Sequence, residues 1–154
     1  MGKQKLNVLV IFEKPPAEEF SLKKHLYLKD WENEKDVIHT LQRLGHRVIC
    51  HGIHNEVQSF IKIVKEENPD VVFNLCETFN EDRNYESNLS SLCELLDVPY
   101  TGADPFSLTL CKDKALQKKI VAYHKINIPK FAVIKDRKDF KCLSDFSFPA
   151  IVKL

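Results

Sequence analysis

The sequence has no long apolar run and almost no net charge. No apolar stretch approaches the about 20 residues that an α-helix needs to cross a bilayer, so we expect no membrane partner. The opening residues, MGKQKLNVLVIF, contain only a short apolar run, which disfavours a secretory signal peptide. With 23 basic and 22 acidic residues the formal net charge is +1, so no bulk field favours nucleic acid.

Paired cysteine motifs are also missing. The five cysteines are scattered and never spaced as C-x-x-C, which disfavours a thiolate zinc site. Their odd number disfavours a closed disulfide framework, so we expect reduced thiols and a cytoplasmic protein. His51 and His54 form an H-x-x-H pair without evident further ligands, so no metal site is predicted.

Glycine is scarce, with four in 154 residues. The loop after the first apolar run reads EKPPAEE, Glu13–Glu19, and contains no glycine. A dinucleotide fingerprint needs glycines at this point so that the pyrophosphate can approach the backbone at a helix N-terminus. An ordinary NAD or FAD site is therefore disfavoured.

Strand-like apolar runs alternate with amphipathic helical patterns in the first hundred residues. Three runs have the length of buried strands: Leu6–Phe12, Arg47–Cys50 and Asp70–Leu75. The helical stripe Val37–Leu44 is followed by Gly45 at the position of a C′ glycine. This alternation predicts the α/β class, with a doubly wound, Rossmann-like parallel sheet. A short fourth strand is predicted over Val98–Gly102.

The second part of the chain has a different pattern. Asp104 and Asp113 precede helical patterns as N-caps, and the second of these helices is expected to turn an apolar stripe inward. That stripe comprises Leu116, Ile120 and Tyr123. Beyond it we expect a strand at Ile126–Ile134, a charged segment, and a terminal strand in FPAIVKL, Phe148–Leu154.

A ligand site is expected at the carboxyl ends of the parallel strands. The third strand is followed by CETFNEDRNYE, Cys76–Glu86, in which Arg83 lies among four carboxylates. These are Glu77, Glu81, Asp82 and Glu86. Crowded carboxylates suit an amine-bearing substrate. A solvated polar loop is the alternative, and composition alone favours it.

Lysines in unusual places suggest a polyphosphate ligand. Lys112 and Lys114 fall at a predicted helix start, where cations oppose the helix dipole. Lys153 falls in an apolar strand and would lose solvation without an anionic partner. Snorkelling to solvent is the simple alternative for each lysine alone.

The ordered series PYTG, DKALQKK, IPKF and FPAIVK resembles the ATP-grasp ligases of the D-alanine–D-alanine ligase type. The match runs from Asp70 to the end with few gaps, and before Asp70 it rests on the order of strands and helices. The resemblance implies that ATP phosphorylates a carboxylate and that an amine displaces phosphate from the acyl phosphate. It implies ATP and Mg²⁺ as cofactors of the parent enzyme, with Lys114 and Lys153 matching the two lysines that contact the ATP phosphates.

The same resemblance divides the chain into three segments. We predict a pre-ATP-grasp substrate domain over 1–111, a connecting helix over 112–127, and the truncated beginning of an ATP-grasp central subdomain over 128–154. If the last segment is truncated, Lys153 should be exposed or poorly ordered.

Two motifs depart from the family pattern. The family's first loop ends in S-A-E-x-E-V-S-L, and the glutamate that holds the substrate amine falls here on Ala17, so Glu18 fits only with a one-residue shift. The family's L-H-G…G-E-D-G keeps Glu81 and Asp82 but has Glu77 at the histidine position. The predicted substrate-binding residues are Glu18, Glu77, Glu81 and Asp82, and a substrate other than D-alanine is about equally supported.

The sequence ends before the family's glycine-rich phosphate loop and metal-binding carboxylates. We therefore expect the amino-terminal part of a ligase, with no complete catalytic set and no metal ligands, inactive alone. Its expected partners are an amino acid or another amine or carboxylate substrate, and a missing carboxyl-terminal ATP-grasp domain. Homodimerisation stays open. The alternative is a non-catalytic α/β module that binds a small molecule or regulates, and retains only the fold.

Overall fold

The computed structural model describes residues 4–15, 21–25, 31–144, 146 and 148–152. Two compact units divide the chain, Met1–Thr109 and Leu110–Leu154. The strands are β1 (Asn7–Glu13), β2 (Arg47–Ile53) and β3 (Val71–Asn74). The helices are α1 (Leu22–His25), α2 (Glu32–Arg43), α3 (Gln58–Glu67), α4 (Glu86–Leu95), α5 (Pro105–Lys112) and α6 (Lys114–Tyr123), with 3₁₀ turns at Arg83–Tyr85 and Arg137–Leu143.

The three strands form one parallel sheet in the order β2-β1-β3. On the central strand, Val8 pairs with Val48 on one side and with Val71 on the other. Parallel strands need crossover connections, and these run through helices here. The predicted α/β class with a doubly wound parallel sheet is confirmed.

Side chains of β1 alternate between two buried clusters, one on each face of the sheet. Leu9 and Ile11 belong to the cluster that contains Phe60 of α3. Val10 belongs to the cluster that contains Ile38 of α2. Because helices cover both faces, every position from Val8 to Phe12 is buried, and this explains the continuous apolar run in the sequence.

The helix boundaries that the sequence predicted are formed by the expected residues. Gly45 follows α2 with φ +87°, a left-handed conformation that glycine adopts without steric cost. The Asp104 carboxylate accepts the Ser107 N–H at 3.0 Å at the start of α5. The Asp113 carboxylate accepts the Leu116 N–H at 2.8 Å at the start of α6.

The fourth strand was predicted wrongly. The segment forms only one parallel bridge, between Val72 and Tyr100. Val72 donates to the Pro99 carbonyl at 2.8 Å and accepts from the Thr101 N–H at 2.9 Å. Pro99 has no N–H of its own, and the chain turns away at Gly102 with φ +117°, so the ladder does not extend.

The second unit also differs from the prediction. Along α6 the stripe expected to face inward is exposed: Leu116 at 43%, Ile120 at 37% and Tyr123 at 83%. In the described part of 126–152 no strand forms, and the charged segment contains the 3₁₀ turn instead. A strand needs neighbours that pair with its backbone groups, and these segments have none there. The division into domains stays a prediction.

Of the five cysteines, Cys76 and Cys93 are buried, Cys50 is half-buried, and Cys111 and Cys142 are exposed. Burial is the main cause that raises the pKa of the Cys93 thiol to about 11 and that raises the pKa of Cys76 as well.

Thiol labelling should therefore be strongly uneven. At pH 8, Cys111 and Cys142 should react rapidly with a maleimide, whereas Cys76 and Cys93 should react only after unfolding in urea. For Cys93, a pKa of about 11 instead of 9.0 lowers the reactive thiolate about 100-fold, and burial adds a steric block. Peptide mapping by mass spectrometry measures each site. Rapid labelling of Cys93 in the native chain would contradict this packing.

Candidate functional site

The acidic loop after β3 is tied to the end of β1 by a carboxylate. Glu13, the last residue of β1, accepts the backbone N–H of Glu77 at 2.7 Å and also that of Thr78. Hydrogen bonds from N–H groups to an ionised carboxylate are stronger than neutral ones. Glu13 therefore positions the loop at the carboxyl edge of the sheet, where a ligand is expected.

The tip of this loop is a tight two-residue turn. Phe79 and Asp82 exchange backbone hydrogen bonds at 3.1 and 3.2 Å, and Asn80 and Glu81 between them have φ values of 54° and 61°. Two positive φ values are typical of a type I′ hairpin turn. The Asn80 N–H also donates to the His54 carbonyl at 2.7 Å, which fixes the turn against the end of β2.

Glycine at position 81 should stabilise this turn. Glu81 is exposed, and its left-handed conformation is unfavourable for a residue with a Cβ atom, so Glu81→Gly should raise the free energy of unfolding by about 0.5–1 kcal/mol. Asn80→Gly is the matched control with a smaller effect, because asparagine tolerates this conformation. Urea unfolding measures both variants, and a destabilised Glu81→Gly chain would contradict the turn geometry.

Two of the predicted substrate carboxylates already have partners within the loop. Glu77 forms an exposed ion pair with Arg83 at 2.9 Å, of a kind that contributes about 0–1 kcal/mol. The Asp82 carboxylate accepts the Asn84 N–H at 2.8 Å and caps the 3₁₀ turn. Both interactions order the loop without excluding a ligand from the remaining carboxylate oxygens.

A cleft of about 280 Å³ opens beside the loop, at the end of β3. Glu77 lines it, whereas Glu81 and Asp82 are not among the described residues that do. Its polar wall includes Asn74, whose backbone N–H donates to the Thr101 hydroxyl at 3.0 Å. The structure thus brings one predicted residue into a concave site and leaves two on the loop surface.

Glu86 on α4, one of the four carboxylates noted in the sequence, also lines the cleft. Glu34 on α2 and Ser90 on α4 line it too, and the sequence analysis did not single them out. Glu34 stands four residues before Ile38 and seven before Leu41, which places it on the apolar face of α2. This spacing was a signal in the sequence that the side chain faces the sheet. Ser90 gives no such signal, because serine is unremarkable on a helix.

The predicted lysine pair is only partly described. Glu18 and Lys153 lie outside the described residues, so the structure does not test them. Lys114 is the first residue of α6, and its ammonium group donates to the Cys111 carbonyl. Lys112 lies in the last turn of α5, where the helix dipole favours a cation, so the predicted unfavourable position was wrong for this residue.

A half-buried histidine at the end of β2 gives the fold a pH dependence. Burial is the main cause that lowers the pKa of His51 from 6.5; the Lys14 charge adds to this, while Glu56 opposes it. The neutral ring lies 3.1 Å from the Ser59 hydroxyl. Because the unfolded chain binds this proton more readily, the stabilisation is complete above pH 6.5 and is lost as the pH falls through the lowered pKa.

Replacing His51 should reduce the dependence of stability on pH. Between pH 8 and pH 5.5 the parent chain should lose stability to urea, and His51→Gln should lose less. An unchanged slope in His51→Gln would show that another group carries the pH dependence.

Comparison with known proteins identifies relatives. No protein-family model matches the chain. A D-alanine–D-alanine ligase of Thermotoga maritima is 32% identical over 115 residues, which cover 73% of this chain and 34% of that protein. One from Aquifex aeolicus is 32% identical over 120 residues, covering 77% and 39%. The chain thus spans only a third to two fifths of these relatives.

A solved structure agrees in fold. The D-alanine–D-alanine ligase of Bacillus anthracis, complexed with ATP, superposes with a TM-score of 0.63 and 20% identity. The match covers 96% of this chain and 45% of that protein. The sequence resemblance to the D-alanine–D-alanine ligases is confirmed by the relatives, and the fold by this structure.

Proposed function

We propose that this relative of the D-alanine–D-alanine ligases is the substrate-side part of an ATP-dependent carboxylate–amine ligase. The observation that carries the proposal is the carboxylate-rich edge where β1 and β3 end, with Glu13 holding the loop that contains Glu77. A negative edge beside a cleft attracts the amine that attacks an acyl phosphate. In this reaction ATP phosphorylates a carboxylate, and the amine displaces phosphate.

The proposal gives roles to the residues predicted from the sequence. Glu18, Glu77, Glu81 and Asp82 would bind or attract the substrate. Lys114 and Lys153 would contact the ATP phosphates, because a compact ammonium charge stabilises a phosphoryl group during its transfer.

Lys114 presents an exposed ammonium group, which fits a phosphate contact. No three side chains of the metal-ligating types come together in the described part of the chain. We therefore assign no ligand to Mg²⁺ here and derive no step through it.

We further propose that the 154 residues do not catalyse ligation alone and that the working enzyme needs a carboxyl-terminal ATP-grasp domain. Cytoplasmic location and homodimerisation stay predictions. Among the described residues, no helix combines the length and apolarity needed to cross a membrane.

Phosphate release tests the proposal. The complete reading frame containing this chain is expressed and screened against amino acids with Mg-ATP. We expect release that depends on an amine substrate, and an about 100-fold lower kcat/KM in Lys114→Ala. Lys119→Ala, on the exposed side of the same helix, is the control and should match the parent. No amine-dependent release from any substrate would contradict ligase function.

Calorimetry tests the expectation that the ATP site of the 154-residue chain is incomplete. We expect no tight binding of Mg-ATP. Tight binding that is abolished in both Lys114→Ala and Lys153→Ala would contradict the expectation that the site needs further residues.

The alternative is a non-catalytic module that keeps the fold. The internal partners of Glu77 and Asp82 favour it, because they give the acidic loop a structural role. Such a module would bind a small molecule without amine-dependent phosphate release, so the same screen separates the two functions.

A further inference from the structure

The net charge of +1 results from two blocks of opposite sign. The second unit, Leu110–Leu154, contains 11 basic and 4 acidic residues, so its net charge is +7. The first unit, Met1–Thr109, contains 12 basic and 18 acidic residues, so its net charge is −6. The second unit therefore has a local positive field that the net charge of the whole chain does not show. Such an asymmetry between two parts of a chain indicates an anionic partner for the basic part.

Three carboxylates of the second unit are bound to its own backbone. Asp113 caps α6. Asp136 accepts the Lys138 N–H at 2.7 Å, and Asp139 accepts the Lys135 N–H at 2.7 Å. These carboxylates satisfy backbone N–H groups at the starts of α6 and of the 3₁₀ turn, which is the usual role of capping residues. The excess of basic side chains is left for an anion from outside the unit to neutralise.

The 3₁₀ turn Arg137–Leu143 presents basic and aromatic side chains together. Arg137, Lys138 and Lys141 are exposed, and Phe140 is 57% exposed. Because a 3₁₀ helix has three residues per turn, residues three apart lie above one another. Phe140 therefore shares an edge of the turn with Arg137, and Lys141 shares one with Lys138. An aromatic ring beside these cations offers a stacking surface next to groups that attract phosphate.

Cation–π contacts connect this part of the unit to α6. The Lys118 ammonium of α6 lies 5.1 Å from the centre of the Phe131 ring, and the Lys130 ammonium lies 5.5 Å from that of Phe146. Phe146 follows the 3₁₀ turn by three residues. Tyr123, at the end of α6, is 83% exposed and supplies a second accessible ring. The basic and aromatic side chains thus extend from the turn to the helix.

The order of these side chains distinguishes two kinds of anionic partner. A helix that binds a membrane surface separates its basic and apolar side chains onto opposite faces. In the 3₁₀ turn, by contrast, the exposed ring of Phe140 lies on the same edge as Arg137. This arrangement is typical of sites for single-stranded nucleic acid, in which basic groups contact the phosphates and aromatic rings stack on the bases.

We propose that the second unit binds single-stranded nucleic acid, with its basic 3₁₀ turn on the phosphates and exposed rings stacked on bases. The phosphate contacts are assigned to Arg137, Lys138 and Lys141, and the stacking contacts to Tyr123 and Phe140. None of these residues has a role in the proposed ligation, and the binding needs no ATP. A failure of the phosphate-release screen therefore leaves this proposal standing, and the reverse also holds.

Fluorescence anisotropy tests the proposal on the 154-residue chain. The chain is added to fluorescein-labelled oligouridylate RNA or oligothymidylate DNA of about 12 nucleotides in about 50 mM potassium chloride. We expect saturable binding of at least one of them, with a micromolar dissociation constant, and the tighter of the two identifies the kind of nucleic acid. With about four phosphates contacted, about 200 mM salt should weaken binding about 50-fold, because counterions are released on association.

Neutralising the 3₁₀ turn locates the phosphate contacts. The triple variant with Arg137→Gln, Lys138→Gln and Lys141→Gln should weaken binding at least about tenfold. It should also reduce the slope of log affinity against log salt by about 2. The matched control removes the same charges from exposed positions of the first unit and should bind as the parent does. That control carries Arg43→Gln, Lys62→Gln and Lys65→Gln.

Phe140→Leu separates base stacking from charge. The variant keeps every charge and an apolar side chain but removes the ring, so it should weaken oligonucleotide binding at least about fivefold without changing the salt slope. Inorganic polyphosphate carries phosphate charges without bases and should bind equally to the parent and to Phe140→Leu. Circular dichroism confirms that each variant folds.

Four outcomes would overturn the assignment. The first is no saturable binding of either oligonucleotide in about 50 mM salt. The second is an equal loss of affinity in the triple variant and its control, which would mean attraction by total charge. An unchanged affinity in Phe140→Leu would mean that bases are not recognised. Co-sedimentation with phosphatidylserine vesicles in the absence of oligonucleotide binding would assign the surface to a membrane instead.

Discussion

Replacing Phe60 with alanine should lower the free energy of unfolding by about 3–5 kcal/mol, the largest effect expected for a single substitution in this chain. Phe60 on α3 is fully buried in the cluster that contains Leu9 of the central strand and Leu89 of α4. Truncation removes the transfer free energy of the ring and leaves a cavity that strands and helices on one face of the sheet cannot close. Urea unfolding followed by circular dichroism gives the free energy.

A matched pair of variants separates burial from residue type. Phe106→Ala removes the same atoms from α5, where the side chain is 73% exposed, and should change the free energy of unfolding by less than about 0.5 kcal/mol. Phe60→Leu, which refills most of the cavity, should cost no more than about 1.5 kcal/mol and keeps the measurement possible if the alanine variant does not fold. Equal effects of Phe60→Ala and Phe106→Ala would contradict the assigned core.

Replacing Glu13 with alanine should have the second largest effect, about 2 kcal/mol. The substitution removes the acceptor of two backbone N–H groups, those of Glu77 and Thr78, and so frees the acidic loop from the end of β1. Amide hydrogen exchange at these two residues should accelerate at least about tenfold, because a loss of 1.4 kcal/mol corresponds to a factor of ten. Glu13→Gln keeps an acceptor without the charge and should lie between the alanine variant and the parent.

The control for Glu13 is another glutamate without this role. Glu66 on α3 is exposed and forms a 3.8 Å pair with Lys62, so Glu66→Ala should cost no more than about 0.5 kcal/mol. If the exchange of the Glu77 and Thr78 amides stayed at the parent rate in Glu13→Ala, the carboxylate would not be what positions the loop.

The sheet was predictable because its central strand is buried on both faces. Covered by α2 on one side and by α3 and α4 on the other, Val8–Phe12 must be apolar throughout, and that run is visible in the sequence. Helix ends at Gly45, Asp104 and Asp113 were predictable for a similar reason, since capping depends on the nearest few residues. The residues within and next to each element determine these features.

Burial and strands were predicted wrongly in the second unit because an amphipathic pattern does not specify which segment packs against it. The stripe Leu116, Ile120 and Tyr123 on α6 has helical spacing, yet it stays exposed in the described structure. Likewise, the strand propensity of Ile126–Ile134 has no effect where no neighbouring strand accepts its backbone hydrogen bonds. An apolar stripe is buried only when another segment of the protein packs against it.

The sequence by itself determined the α/β class, the order of strands and helices from β1 to α4, the acidic loop after β3 and the relation to the ligases, because these depend on periodicity, local capping and ordered motifs. Only the tertiary structure decided which carboxylates share a site. It placed Glu34 and Ser90 beside Glu77 across a cleft, tied the loop to Glu13, and left Glu81 and Asp82 on the surface. The physical reason is that contacts between residues distant in sequence depend on how helices pack on the sheet, and spacing along the chain does not encode those distances.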